Sequence, residues 1–263
     1  CGSSTGRGAE EMSFVKENFN LASHSKAVVA IKYSDDGRHM ATASADKTAN
    51  IYDTSNGELV MKLDKEHALG LNDCAWMNGG RYLATASDDK SVKIWDVEVG
   101  KAITTLHANK SFIYCLAVHP ENDMLLTGGH DGSIRLFHAP SQSCLMSFDA
   151  HAGAVVSVDY SPESHRNFIS GSHDGLVRIW DGMNNAACLT SFHCDYSPPV
   201  SCARYSPNGK YLLVSTLDDN IRLFPSDDNV GPESVGPEVP PPKNSSKIVI
   251  ASPYRYEPLK IYR

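Results

Sequence analysis

A histidine, a serine and an aspartate in the second half of the chain have the residue types of a nucleophilic hydrolase. They are His151, Ser172 and Asp174. In such an enzyme the histidine activates the serine hydroxyl, and the aspartate orients the histidine. The same set recurs as His24, Ser44 and Asp46, as His67, Ser87 and Asp89, and in reduced form as His107, Gly129 and Asp131. An active site is needed once, whereas a hydrogen-bonded clamp is needed in every structural repeat, so the recurrence predicts a structural role.

Other catalytic and metal-binding patterns are absent from the sequence. It contains no GxGxxG, GxxxxGK[ST] or HExxH motif, and no Cys/His cluster with the spacing of metal ligands. The seven cysteines include no CxxC pair, and several lie in apolar runs, which favours buried reduced thiols. We therefore predict no enzymatic activity, no cofactor and no metal site.

The composition favours a globular protein whose partners are proteins or peptides. The chain has 263 residues, 41% of them hydrophobic, and a formal net charge of −7. Because this charge is negative, we expect basic peptides as partners rather than nucleic acid, and no small-molecule substrate. No segment approaches the ~18 apolar residues of a membrane helix, and the first residues lack a secretory signal, so we expect a soluble, intracellular protein that does not bind membranes. The first residue, Cys1, suggests that the sequence begins inside a longer reading frame.

One motif occurs five times along the chain. Its aspartate stands at Asp46, Asp89, Asp131, Asp174 and Asp218, and an aromatic residue follows six positions later at Tyr52, Trp95, Phe137, Trp180 and Phe224. Each repeat contains short alternating apolar runs separated by polar or glycine-rich turns, which predicts four short antiparallel strands. A period of about 40–45 residues with this content predicts small sheets arranged radially.

The repeat resembles the WD-repeat family, because a histidine opens the unit and Ile-Trp-Asp stands intact at 94–96 and 179–181. The resemblance implies an all-β WD-repeat β-propeller with five recognisable four-stranded blades. ASDDKSVKIWDV, HDGLVRIWD, SPNGKY and TLDDNIRLF are similar to the branch of this family that serves COMPASS/MLL-type histone methyltransferases. Family members usually have seven blades, so we expect an incomplete seven-bladed ring; a closed five-bladed ring is the alternative.

The repeat boundaries predict the domain organisation. Residues 1–13 are expected to be a flexible N-terminus, 14–224 the propeller, 225–246 a linker rich in Pro, Gly and acidic residues, and 247–263 a short β-like tail. Residues 14–23 resemble the outer strand that completes the last blade in this family. If the ring is incomplete, the edge after Phe224 is expected to self-associate unless the tail strands cover it.

The resemblance also implies the roles of particular residues. The clamp is expected to comprise His24, Ser44, Asp46, His67, Ser87, Asp89, Trp95, His107, Asp131, His151, Ser172, Asp174 and Trp180. Partners of this family dock on the top face, which here corresponds to Ala45, Asn72, Asp88, Tyr114, His130, Val156, His173 and Ser201. A side cleft that accepts acidic or hydrophobic peptides corresponds to Asn208, Tyr211 and Leu223. Ordinary surface positions are the alternative interpretation of both sets.

The function implied by this resemblance is a non-catalytic scaffold in a histone methyltransferase complex. Related proteins hold a partner arginine between aromatic rings beside an acidic residue, a role that falls here to Tyr114 and Asp88. His173 stands where the family has a second aromatic residue. Histone tails or subunits of the complex would be the partners, in the nucleus and also in the cytoplasm. The alternative is an adaptor or substrate receptor in another assembly, such as a ubiquitin ligase or an RNA-processing complex.

Overall fold

The computed structural model describes residues 19–107, 110–121, 123–183, 185–194 and 196–226, together with the backbone of 260–262. These residues form an all-β structure of five four-stranded antiparallel sheets. The only helical segment among them is a short 3-10 turn at Asn78–Gly80. The prediction of a β-propeller with five recognisable blades is thereby confirmed. No helix in the described ranges is long and apolar enough to cross a membrane.

Each of the first four blades is a continuous meander of consecutive strands. Blade 1 contains β1 (Val28–Tyr33), β2 (His39–Ser44), β3 (Ala49–Asp53) and β4 (Leu59–Leu63). Blade 2 contains β5 (Leu71–Met77), β6 (Tyr82–Ser87), β7 (Val92–Asp96) and β8 (Lys101–Leu106). Blade 3 contains β9 (Ile113–Val118), β10 (Met124–Gly129), β11 (Ser133–His138) and β12 (Ser143–Asp149). Blade 4 contains β13 (Val155–Tyr160), β14 (Asn167–Ser172), β15 (Leu176–Asp181) and β16 (Ala187–His193).

The fifth blade takes its outer strand from the end of the chain. It contains β17 (Val200–Tyr205), β18 (Tyr211–Thr216), β19 (Asn220–Pro225) and β20 (Lys260–Tyr262). Strand β20 is antiparallel to β19, with Ile261 opposite Arg222. The expected outer strand at 14–23 does not take this place: residues 19–23 form no strand, and 14–18 lie outside the described residues. The edge after Phe224 is therefore covered by the tail of the chain. The predicted linker begins within this blade, since Pro225 is the last residue of β19; the linker after Ser226 and the rest of the tail lie outside the described residues.

The core lies between the blades. The first strand of each blade packs against the first two strands of the blade before it, as β5 does on β1 and β2. Four apolar clusters result, one at each junction of consecutive blades. The cluster between blades 1 and 2, for example, contains Ile51, Leu71 and Trp95. Among the described residues, no comparable packing joins blade 5 to blade 1. The described blades therefore form an open series, as in other repeat proteins in which each unit contacts only its neighbours.

Candidate protein-interaction surface

A hydrogen-bonded clamp fixes the edge of the second blade. Nδ1 of His67 lies 2.8 Å from Oδ2 of Asp89, and its Nε2 lies 2.8 Å from Oγ1 of Thr85. Nε1 of Trp95 donates to the same Thr85 hydroxyl at 2.9 Å. If the proton of the His67 ring is assigned to Nδ1, each donor in this series of hydrogen bonds has one acceptor. The clamp joins the loop before the blade, the turn that carries the aspartate, and the aromatic core.

Blade 4 contains the same arrangement, and blade 1 contains its histidine, aspartate and hydroxyl. In blade 4, Nδ1 of His151 lies 3.0 Å from Asp174, and its Nε2 lies 2.7 Å from Oγ of Ser170. Trp180 donates to that hydroxyl at 2.8 Å. In blade 1, His24 bridges Asp46 and Thr42 at 3.0 and 2.7 Å. The residue that bonds to the histidine is therefore Thr42, Thr85 or Ser170, none of which the sequence analysis singled out.

The serines expected beside the histidines have a different role. Ser87 donates to the carbonyl of Gly70 at 2.9 Å and accepts from the backbone N–H of Asp89 at 3.1 Å. Ser44 does the same with the Ala27 carbonyl and the Asp46 N–H, and Ser172 accepts from the N–H of Asp174. These serines tie the turn to the loop before the blade, so the His, Ser and Asp of each repeat do not form the connected chain of a hydrolase triad.

Burial sets the electrostatics of the clamp in blade 4. It lowers the pKa of His151, although the hydrogen bond to Asp174 opposes the change, so the imidazole is neutral at physiological pH. Burial alone would raise the pKa of Asp174, but hydrogen bonds from His151 and from two backbone N–H groups lower it to about 2. Ser170 and Ser172 are fully buried. This cluster can hold the blade together, but it cannot present a nucleophile to a substrate.

The third and fifth blades replace the histidine with an arginine. Nη2 of Arg135 donates to Oδ2 of Asp131 at 2.9 Å, and Nη2 of Arg222 donates to Oδ2 of Asp218 at 2.6 Å. Both arginines are buried, whereas His107 is exposed. The expected clamp role of His107 is thus wrong, because Asp131 is bonded instead to Arg135 of the same blade. A basic residue also stands four positions after the aspartate in blades 2 and 4, but there Lys93 and Arg178 bond to Thr105 and Ser191, so this position alone does not distinguish the two arrangements.

One edge of the propeller carries a β-bulge in every blade. The strand register skips one residue of each first strand, which is Val29, Asn72, Tyr114, Val156 or Ser201. A bulge leaves one residue outside the ladder and redirects its side chain. The residue after each second strand lies at the same edge, and its N–H donates to the loop before the blade, as Asp88 does to Gly70 at 3.1 Å. We call this edge, with its bulge and turn residues, the top face.

The top face of blades 2 and 3 forms a continuous polar and aromatic surface. Nδ2 of Asn72 donates to Oδ1 of Asp88 at 2.6 Å and to the carbonyl of Ile113, in the next blade, at 2.9 Å. Tyr114 follows directly, and its ring lies 5.8 Å from that of the exposed His130 in an edge-on geometry. The ring of Phe112, which the sequence analysis missed, also lies edge-on to His130, with the ring centroids 6.1 Å apart. The structure thus brings together four of the eight predicted top-face residues.

The other predicted top-face residues occupy equivalent positions in the remaining blades. Ala45 and His173 follow the second strands of blades 1 and 4, and His173 is exposed. Val156 is the half-buried bulge residue of blade 4. The hydroxyl of Ser201 forms a hydrogen bond of 2.8 Å with Ser215 of its own blade. These four residues lie at the same edge but belong to different blades from the continuous surface.

The predicted side-cleft residues all lie in blade 5. The side-chain oxygen of Asn208 accepts from Ser206 and from the N–H of Lys210, so it stabilises the turn before β18. Leu223 stands opposite Leu213, two residues after Tyr211, so all three side chains lie on one sheet face. Tyr211 is exposed and Leu223 half-buried. The structure thus places Tyr211 and Leu223 on one sheet face of blade 5 and Asn208 in the turn before it.

Comparisons with known proteins agree with this architecture. The family model described as nucleolar protein 10-like, N-terminal domain, a β-propeller, matches residues 7–145. The model of the WD domain, G-beta repeat, matches residues 142–181 and 186–224. Together the two cover the five blades except for β20.

Individual relatives share parts of the chain. COMPASS component SWD3 of Saccharomyces cerevisiae is 31% identical over 119 residues, which is 43% of this chain and 38% of the relative. Pre-mRNA-processing factor 19 of Oryza sativa is 29% identical over 42% of this chain and 21% of the relative. DENN domain and WD repeat-containing protein SCD1 of Arabidopsis thaliana is 27% identical over 81% of this chain and 14% of the relative. The chain thus spans less than two fifths of the length of these relatives.

Proposed function

The chain belongs to the WD-repeat β-propeller family, and its first half matches a nucleolar protein 10-like N-terminal domain. From this we propose that it is a non-catalytic scaffold in the nucleus. It binds a basic peptide on its top face. The assembly we favour is a histone methyltransferase complex, in line with the similarity to COMPASS component SWD3. The observation that carries the proposal is the continuous surface formed by Asn72, Asp88, Tyr114 and His130.

The chemistry of this surface suits a guanidinium or ammonium group. The carboxylate of Asp88 supplies negative charge, and the rings of Tyr114 and Phe112 supply π-faces beside it. A cation over an aromatic ring gains roughly 0.5–2 kcal/mol, and more when water is excluded. Because one wall is open and His173 replaces an aromatic residue, we expect arginine-peptide binding that is tenfold to a hundredfold weaker than in a complete aromatic sandwich, about 1.4–2.8 kcal/mol.

Calorimetric titration with an arginine-containing histone-tail peptide tests this binding. Tyr114→Ala and Asp88→Ala should each reduce the affinity about tenfold, since each removes one half of the recognition of the cation. Met183→Ala and Glu98→Ala are matched controls, because both residues are exposed in turns at the opposite edge of blades 4 and 2 and should leave binding unchanged. Tight binding that survives both top-face substitutions would move the partner site to another surface.

A second candidate is a scaffold in an RNA-processing assembly. It is favoured by the match to a nucleolar protein 10-like domain and by the similarity to pre-mRNA-processing factor 19. Affinity purification of the parent and of an Asp88→Ala/Tyr114→Ala variant, followed by mass spectrometry, separates the two. Methyltransferase subunits lost only from the double variant would support the first proposal, and RNA-processing factors lost in the same way would support the second.

A further inference from the structure

The first blade leaves bare the face that later blades bury. Val28, Ile31 and Tyr33 of β1 are 44, 56 and 64% exposed. Of the twelve residues at the same register in the later blades, Val118 is half-buried and the other eleven are at most 8% exposed; they are Leu71, Cys74, Trp76, Ile113, Leu116, Val155, Val158, Tyr160, Val200, Ala203 and Tyr205. We call the surface formed by Val28, Ile31 and Tyr33 the leading face.

The fifth blade is bare on the opposite side. Leu213 of β18 and Ile221 of β19 are 44 and 41% exposed. Their counterparts in blades 1 to 4 are at most 1% exposed; they are Ala41, Ala84, Leu126 and Ile169 for Leu213, and Ala49, Val92, Ile134 and Val177 for Ile221. We call the surface formed by Leu213, Ser215 and Ile221 the trailing face.

The leading and trailing faces correspond to the two sides of the junction between consecutive blades, which occurs four times in the described residues. At every internal junction, the first strand of one blade packs on the first two strands of the blade before it. The fit is close: a Cβ added at Gly128 or Gly171 would meet Val155 or Val200 of the next blade at 2.5–2.7 Å. Ser215 has the position of these glycines in blade 5, and Val28 has the position of these valines in blade 1. The junctions of blades 1 and 2 and of blades 2 and 3 accept a Cβ at this position, because Ala43 and Ala86 occupy it and pack in the same clusters as Leu71 and Ile113. The leading face therefore has the shape and chemistry that the trailing face accepts.

Charge at the top edge of the two faces is also complementary. At the junction of blades 3 and 4, the carbonyl of Gly132 accepts from the backbone N–H groups of Ala150 and His151, so the turn of one blade meets the loop that begins the next. Asp219 occupies this turn position in blade 5, and Lys26 lies in the loop that begins blade 1; both are exposed. A blade-1 loop docked on blade 5 would place opposite charges together.

We propose that a second copy of this chain docks head to tail, with the leading face of one copy on the trailing face of the other. The contact reproduces the internal blade junction between molecules. It covers Tyr211 and Leu223, so it competes with any peptide in the side cleft but leaves the top face of blades 2 and 3 open. Each pair still presents one leading and one trailing face, so the interface is heterologous and can add further copies.

Sedimentation velocity over a concentration series of roughly 1 to 100 µM tests the proposal, because interfaces of this kind dissociate within that range. The weight-average mass of the parent should rise with concentration. Ile31→Glu damages only the leading face and Leu213→Glu only the trailing face, and each should weaken association tenfold or more. An equimolar mixture of the two variants should give a dimer that does not grow, because one intact face of each kind remains. Ile103→Glu, on the exposed outer strand β8, is the matched control and should associate like the parent.

Three results would overturn the proposal: a parent that is monomeric at every concentration, single variants that associate like the parent, or a mixture that forms no dimer. Circular dichroism melts establish that the variants are folded, which their exposed positions favour. An independent measurement uses the parent alone, as a mixture of normal and heavy-nitrogen-labelled copies treated with a zero-length carboxyl–amine cross-linker. A mixed-label link between Lys26 and Asp219 is expected, and links within one copy only would equally exclude head-to-tail docking.

Discussion

The hydroxyl of Thr85 connects the core of blade 2 to its surface. It accepts from Trp95 and donates its hydrogen to His67, which in turn donates to Asp89. Thr85 and Ser87 lie on the same face of β6, so an alternating pattern cannot tell which of them meets the histidine. The structure decides for Thr85, because Ser87 is already bonded to Gly70 at the end of the strand. The sequence therefore predicted the clamp as a unit but misassigned its bridging hydroxyl.

Thr85→Val tests the assignment, since valine has the same shape without the hydroxyl. The indole N–H of Trp95 and Nε2 of His67 would both lose a buried partner, which should lower the free energy of unfolding by roughly 2–4 kcal/mol. Urea denaturation measures the change. Thr104→Val on β8 makes the same substitution at a half-buried site and should shift the stability by less than about 0.5 kcal/mol. Equal stability of Thr85→Val and the parent would show that the hydroxyl does not bridge the two rings.

At the scale of one blade, the clamp is defined by its acidic residue rather than by its histidine. Blades 1, 2 and 4 pair the aspartate with a histidine from the preceding loop, and blades 3 and 5 pair it with an arginine from the third strand. The arginine joins the third strand to the turn before it, so the aspartate does not need a histidine from the preceding loop. His107 is exposed for that reason. A search of the sequence for the histidine that begins each repeat therefore detects only the histidine–aspartate pairs.

Arg135→Met should therefore destabilise blade 3 more than a surface substitution would. The variant removes a charged hydrogen bond from Asp131, whose carboxylate stays partly exposed to water, so the free energy of unfolding should fall by about 1–2 kcal/mol. Arg135 also holds the pKa of Asp131 below its usual value against the effect of burial, so the carboxyl of the variant should titrate at higher pH. Thermal melts and NMR titration of the carboxyl measure the two effects. A melt unchanged by Arg135→Met, with His107→Ala destabilising instead, would restore the histidine to the clamp.

For the whole molecule, periodicity predicted the number of blades and strands because the same alternating apolar residues recur in every blade, and they are buried wherever a neighbouring blade packs on them. It could not predict how the fifth blade is completed. Lys260–Tyr262 is a three-residue strand far from β19 in sequence, and so short a run carries no periodic signal. The β-bulges and the exposed faces of blades 1 and 5 could not be predicted for a related reason: both depend on the register and neighbours of a strand, not on its composition. Four of the bulge residues were named only through the family resemblance, without their backbone setting.

Removing residues 260–263 should uncover the backbone edge of β19. Amide hydrogen exchange at Ile221, Arg222 and Leu223 should accelerate more than tenfold for those N–H groups that pair with β20, while the first strands of blades 2 and 3 keep their protection. Removing Arg263 alone is the control and should leave this protection intact. If exchange in β19 is the same with and without the four residues, β20 does not complete the blade.

At the start of each first strand, a residue that is always apolar is followed by a bulge residue of varied type. The residue before it is Val, Leu, Ile, Val or Val, whereas the bulge itself carries Val, Asn, Tyr, Val and Ser in the same backbone setting. A side chain outside the ladder can change without disturbing the pairing beside it. On the proposed docking face, each blade therefore supplies one position at which a substitution would alter recognition while the strand pairing is left intact. Such a protein can acquire new partners one blade at a time, keeping its architecture while its specificity drifts.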